Sequence, residues 1–389
     1  MHFDFDAPVE RAGTWSTRWD RYAGRAAREV LPEILPLWVA DMDFRAPPAI
    51  LAAFAARVEH GVFGYSTLPD ALREAIVQRM ERLYRWRIEP DWIVMLPGVV
   101  PGLHLAVRLL TEAHHRVLLP TPVYNHFRRA AELAPRGFEE IPLAQSAGHW
   151  ILDWDRLEDA MRRGARMLLL CNPQNPGGSI YTREELERIA ELAERYDVLL
   201  CSDEIHADIL LEAGRQHVPI AGLGRETGRR TVTLMSPNKT FNIPGAGCAF
   251  AIIEDPQRRA AFSGEAHALV SEPGVFGYAG ALAAYTDPTS EAWLAALLEH
   301  LRSNRDLAEQ SLSGVPGVHC WHVEATYLAW VDASGWGLRD PGAHLLKHGL
   351  AVTPGAQFGG PGFVRLNFGT QRARLVEALA RFRAAAAAI

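Results

Sequence analysis

Ser236-Pro237-Asn238-Lys239-Thr240-Phe241-Asn242 follows a short apolar run, Thr231 to Met235, that reads as a buried strand. It sets a lysine just past that strand's end. An ammonium held among apolar neighbours loses hydration, so its pKa falls and the amine becomes usable as a nucleophile, a base or an imine former. Ser236, three residues earlier, can offer a hydroxyl to an anion. The ordinary alternative is a lysine that snorkels from a strand end to water.

Working outward, similar apolar runs lie at Trp92 to Leu96, Arg116 to Leu119, Met167 to Cys171, Val198 to Ser202 and Cys248 to Ile253. Between them, Gly102 to Leu110, Tyr124 to Leu133, Arg183 to Tyr196 and His206 to Leu211 read as helical or turn-like. This alternation predicts βαβ units, hence an α/β fold whose sheet is mostly parallel. Ahead of it, Pro47 and Pro48 open a helix through about Glu59, Gly61 to Tyr65 is a loop, and Pro69 to Tyr84 is an amphipathic helix. After about Asp287 the texture changes. Long helices, Glu291 to Ser311 and Pro341 to His348, surround strands Tyr327 to Val331 and Phe363 to Phe368, with a last helix over Gln371 to Ala388. The expected division is an N-terminal arm, 1–45, packing with the small domain; a large domain, 46–287; and a smaller α+β domain, 288–389.

In an open parallel sheet the ligand site lies beyond the carboxyl ends of the strands. Here those ends carry chemistry. Pro97-Gly98-Val99-Val100-Pro101-Gly102 opens a helix whose free amides suit a phosphate. Tyr124 brings an aromatic ring, Asn175 of Asn175-Pro176-Gly177-Gly178 an amide, Asp203 of Ser202-Asp203-Glu204-Ile205-His206 a carboxylate, and Lys239 an amine. A planar, phosphorylated, aldehyde-bearing pyridine needs that set. Taken singly, each has a structural reading: Asp203 as a helix cap, Asn175 as a turn former, Tyr124 as core, Arg365 as a strand-edge ion pair.

Composition narrows the field. With 389 residues, 48% hydrophobic and a net charge of -6, the chain can build a large core and shows no basic surface for nucleic acid or anionic lipid. Cys171, Cys201, Cys248 and Cys320 are widely spaced and read as buried thiols of a reducing, cytoplasmic compartment. No apolar stretch suggests a signal peptide or membrane span. A P-loop would need glycines where Thr233 and Asn238 stand. His114-His115 reads as a solvated helix end, no histidine spacing suggests a metal site, and there is no Gly-x-Ser-x-Gly elbow.

Five stretches, Trp38 to Phe44, Gly61 to Tyr65, Ser202 to His206, Ser236 to Asn242 and Phe363 to Gly369, together resemble the fold type I, aspartate aminotransferase-like pyridoxal phosphate enzymes. Within them the chain is similar to the MalY/PatB-type cystathionine β-lyases. The resemblance implies that Lys239 carries pyridoxal 5'-phosphate, Asp203 partners its ring nitrogen, Asn175 its ring oxygen, and Tyr124 stacks on the ring. It further implies that Ser236 and the amides of Val99 and Val100 hold the phosphate, and that Tyr65 reaches the phosphate of a neighbouring subunit in a homodimer with shared sites. Arg365 would bind the substrate carboxylate, while Trp38, Asp41 and Asp43 would shape the entrance. His206 stands where aminotransferases usually place a tyrosine. Gly247 replaces the arginine many of them carry eight residues after the lysine, so cofactor affinity rests on fewer groups. The implied activity is carbon-sulfur β-lysis of L-cystathionine or related cysteine S-conjugates to thiol, pyruvate and ammonia. The alternatives are an aminotransferase and a cofactor-sensing regulator; the latter usually carries a DNA-binding module ahead of the arm, for which residues 1–45 leave no room.

Overall fold

The structure, a computed structural model, describes residues 3–22, 33–146 and 148–389. Fourteen strands are β1 (Leu35–Pro36), β2 (Ile93–Leu96), β3 (Arg116–Thr121), β4 (Gly137–Ser146), β5 (His149–Leu152), β6 (Ala165–Cys171), β7 (Leu199–Asp203), β8 (Thr231–Met235), β9 (Ala249–Ile252), β10 (His319–Cys320), β11 (Leu328–Asp332), β12 (Leu350–Ala351), β13 (Thr353–Pro354) and β14 (Phe363–Asn367), counted among the described residues. Eight of them form one mixed sheet in the order β2-β9-β8-β7-β6-β3-β4-β5. Its centre, β8-β7-β6-β3-β4, is parallel, and antiparallel partners close both edges.

Side chains alternate across that sheet as the strand period demands. Val117 and Leu119 point to a layer containing Leu103, Val107, Phe127 and Phe262, whereas Leu118 joins Leu157, Leu186 and Ile189 on the other face. Both faces are therefore covered by helices, which is why the central strands read as continuous apolar runs. The helix Val99–Leu110 lies especially close: a Cβ at Gly102 would stand 2.7 Å from Leu96 Cδ1 and 2.8 Å from Leu234 Cδ2. Only glycine lets that helix settle so near the strands.

The second sheet is antiparallel, β10-β11-β14-β13, and the arm's β1 pairs in parallel with β12. Phe5, Leu35, Leu37, Met42 and Phe44 of the arm enter one apolar cluster with Leu297, Leu301, Phe368 and Phe382. Several additions depart from the sequence expectation, among them the helix Trp154–Arg162. The β4–β5 hairpin was not anticipated, because Glu139 and Glu140 interrupt the apolar pattern and the strand is only half buried at the sheet's edge. Helices Pro256–Leu269 and Val275–Thr286 were also missed; the latter is apolar on most sides and glycine-containing, so it lacks a clear helical stripe. Among the described residues, no helix is long and apolar enough to cross a membrane.

Candidate active site

Strands β6, β7 and β8 end level with one another: Cys171 pairs with Asp203, and Asp203 with Leu234. The loops that follow carry Asn175, His206 and Lys239 to one edge. There a cavity of about 430 Å³ is lined by Trp38, Val99, Val100, Tyr124, Asn175, Asp203, His206, Lys239 and Arg365, along with Thr17, Ala40, His126, Thr353, Gln357 and Phe358. Four sequence candidates lie outside that lining, Asp43 among them as a buried partner of Arg11 at 2.8 Å. Ser236 donates its hydroxyl to the Cys248 carbonyl at 2.6 Å and accepts from the Asn238 amide at 3.0 Å, so it is spent on the local turn. Tyr65 is fully exposed on the surface. Asp41 pairs with Arg11 at 2.6 Å and faces Arg18 at 3.5 Å, bracing the arm from behind.

The buried groups of the cavity are electrostatically unsettled. Lys239 Nζ donates to the Ala40 carbonyl at 2.6 Å. Burial first, and then the Arg365 charge, bring its pKa down to about 8, against the opposing pull of Asp41 and Asp203. Burial pushes the Asp203 carboxyl up to about 7; an Ile205 amide and the Lys239 charge offset this only in part, and Glu204 adds to it. His206 is driven to about 3 by burial and the two cations, and its Nδ1 has no partner. Burial raises Tyr124 as well.

Arg365 is differently placed. One guanidinium nitrogen donates to Asn175 Oδ1 at 3.0 Å and another to the Trp38 carbonyl at 2.9 Å, while the plane lies 4.7 Å from the centre of the Phe358 ring. Burial lowers its pKa to about 10, and its buried Nε lacks a partner. Backbone carbonyls of the arm thus sit on both cavity cations, at Trp38 and Ala40.

This donor set suits a phosphorylated pyridine aldehyde. A buried amine with lowered pKa can form an imine, and a buried carboxylate with no cation bonded to it can take a ring N–H. The Val99–Leu110 helix starts at Gly98 without a side-chain cap, leaving first-turn amides for an anion. Sequence reasoning missed Thr17, His126, Thr353, Gln357 and Phe358, which lie on no strand end of the large sheet and come together only through the fold. Glu112, His114 and His115, the one grouping of possible metal ligands among the described residues, sit on the turn after that helix and outside the cavity lining.

A family model described as aminotransferase class I and II matches residues 32–382. Among curated relatives, cystathionine beta-lyase PatB of Bacillus subtilis is 36% identical, over 98% of this chain and 99% of its own. A crystal structure of OvoB superposes with a TM-score of 0.94 at 44% identity, covering 98% of this chain and 99% of that one. Cystalysin from Treponema denticola, whose crystal structure contains pyridoxal 5'-phosphate, does so with a TM-score of 0.93 at 28% identity and 99% coverage of both chains.

Proposed function

Because the chain belongs to the class I and II aminotransferase family, we propose that it is a pyridoxal 5'-phosphate-dependent carbon-sulfur β-lyase acting on L-cystathionine or a related cysteine S-conjugate. The observation that carries this reading is the buried Lys239 amine sharing one cavity with the unpaired Asp203 carboxylate. The lyase names of its relatives set the fate of the substrate.

Lys239 would hold the cofactor through its amine, and that amine is the group placed to take the Cα proton as general base. Asp203 holds a proton on the ring nitrogen, which also relieves the carboxylate's own isolation. Asn175 orients the ring oxygen, with Arg365 fixing the amide through its Oδ1. Tyr124 covers the ring face. The amides of Val99 and Val100 hold the phosphate, supported through the turn that Ser236 braces. Bound pyridoxal phosphate supplies an electron sink for the charge left at Cα. Arg365 takes the substrate carboxylate by exchanging the Trp38 carbonyl for it, a charge-assisted pair replacing a neutral acceptor. The thiolate then departs from the β-carbon, and the remaining three-carbon fragment hydrolyses to pyruvate and ammonia.

Tyr65 lies with Val62 and Phe63, all more than half exposed, on a surface suited to a second copy of the chain. We assign it to the partner's phosphate in a homodimer. Three buried free cysteines, Cys171, Cys201 and Cys248, fit a cytoplasmic setting. The division into 1–45, 46–287 and 288–389 is supported by the large sheet lying within 93–252 and the antiparallel one within 319–367.

Purified protein loaded with pyridoxal phosphate should release pyruvate and free thiol from L-cystathionine with no keto acid added. Lys239→Ala should lose that activity by at least about a hundredfold and lose the covalent cofactor absorbance. Strict dependence on an added keto acid would instead mark an aminotransferase.

A further inference from the structure

The roles above leave two histidines of the cavity lining, His206 and His126, unused, and the second is held by a third, His104, from outside the lining. His126, in the first turn of the helix Asn125–Leu133, lines the cavity next to Tyr124, with ring centres 5.1 Å apart. Its Nδ1 lies 3.3 Å from Nε2 of His104, on the helix whose N-terminus faces the same cavity. An imidazole has two nitrogens, and His104 occupies one of them. Nε2 is therefore what His126 has left to present to a ligand.

One hydrogen is shared between the facing nitrogens of a neutral pair, so His126 Nε2 is a donor when His104 supplies it and an acceptor when His126 does. Burial, followed by the charge of its neighbour and of Arg129, lowers His104; burial and Arg129 lower His126. The pair is thus neutral at pH 7 and above. It can read a polar group but offers no ion pair. The α-carboxylate has Arg365, and the cofactor has the strand-end groups. What remains of the cavity wall includes Thr17, Gln357 and His126, all uncharged and all able to hydrogen-bond.

Building on the lyase reading, we propose that His126, oriented by His104, hydrogen-bonds the departing-thiol arm of the substrate, and so favours cysteine S-conjugates whose thiol carries a hydrogen-bonding group. His126 would be a specificity residue and His104 a positioning residue. S-(2-hydroxyethyl)-L-cysteine and S-propyl-L-cysteine have the same number of heavy atoms and differ in one polar group, so they test this directly. The wild-type enzyme should prefer the hydroxyethyl compound. His126→Ala should lower kcat/KM for it by up to about tenfold, mainly through KM, and change the propyl compound by less than about twofold. His126→Asn should restore part of the preference, and also serves if the alanine variant does not fold. His104→Phe should erode the preference in the same direction. Equal losses on both compounds, or an unchanged preference, would overturn this inference while leaving the lyase reading intact. A cofactor-loaded wild-type protein that releases pyruvate from neither compound nor from cystathionine overturns both.

Discussion

Two buried aspartates in this molecule show opposite behaviour. Asp43, on the arm, is 1% exposed and accepts from Arg11 at 2.8 Å, Trp19 Nε1 at 3.0 Å and Thr370 Oγ1 at 2.8 Å, with Arg18 at 3.1 Å. Burial would raise its pKa, but Arg18, Trp19 and Arg11 together outweigh that and hold it below the usual carboxylate range. Asp203, 7% exposed, receives one amide hydrogen bond, from Ile205 at 3.1 Å, and its pKa rises to about 7. The same side chain, buried to a similar degree, ends as a settled anion in one place and an unsettled one in the other. Asp43 finds its charged partners within the chain; Asp203 has none bonded to it among the described residues, which is what the proposed role beside a ring nitrogen requires.

The contrast can be broken by three measurements. The largest effect is expected from Asp203→Asn in the loaded enzyme. An amide cannot hold the ring nitrogen protonated, so turnover should fall about 10²–10⁴-fold, with a shifted cofactor absorbance. Turnover within tenfold of wild type would show that Asp203 is not the ring partner.

Asp43→Asn comes next, and its effect should fall on stability. It leaves Arg18 buried without its full complement of charge, for a cost of about 3–5 kcal/mol in urea or thermal unfolding. A loss below about 1 kcal/mol would mean that the arginines resettle on Asp41 alone.

The smallest effect has the opposite sign. In cofactor-free protein, Asp203 binds its proton more tightly folded than unfolded, so its ionisation penalises the fold. That penalty is absent below about pH 4, grows as pH rises, and is complete above about pH 7. Asp203→Asn should therefore stabilise the cofactor-free protein by roughly 1–4 kcal/mol at pH 8 and leave it near wild type at pH 4. Destabilisation at pH 8 would place Asp203 with Asp43 as a structural anion.

Much of this site is legible in the sequence. Asp203, Lys239, Asn175 and Tyr124 follow apolar strands closely, and a parallel sheet carries all such positions to one edge. Arg365 and Trp38 were legible only through the resemblance, since nothing in their local spacing sends them to that edge. Ser236 shows the opposite limit. Its place beside the lysine suggested an anion ligand, but its hydroxyl instead braces the turn at Cys248. The rim was opaque, because Thr17, His126 and Gln357 come from an arm, a helix start and a small-sheet loop, and only tertiary packing brings them together. In the fold, the edge hairpin was hidden because charge masks the alternation of its half-wet strand, and of the helices missed, Val275–Thr286 is buried on most of its faces while Pro256–Leu269 buries only Phe262 and Ala266.

The level endings of β6, β7 and β8 set a fixed pitch for the floor of the cavity. Adjacent strands in a sheet lie roughly 4.8 Å apart, so the lateral spacing of the Asn175 loop, Asp203 and the Lys239 turn is inherited from the backbone ladder and lies beyond the reach of any single side-chain exchange. New substrate ranges in this scaffold must therefore be written on its margins, by the arm, the small-sheet loop and the turn after Tyr124, over a chassis that keeps its gauge.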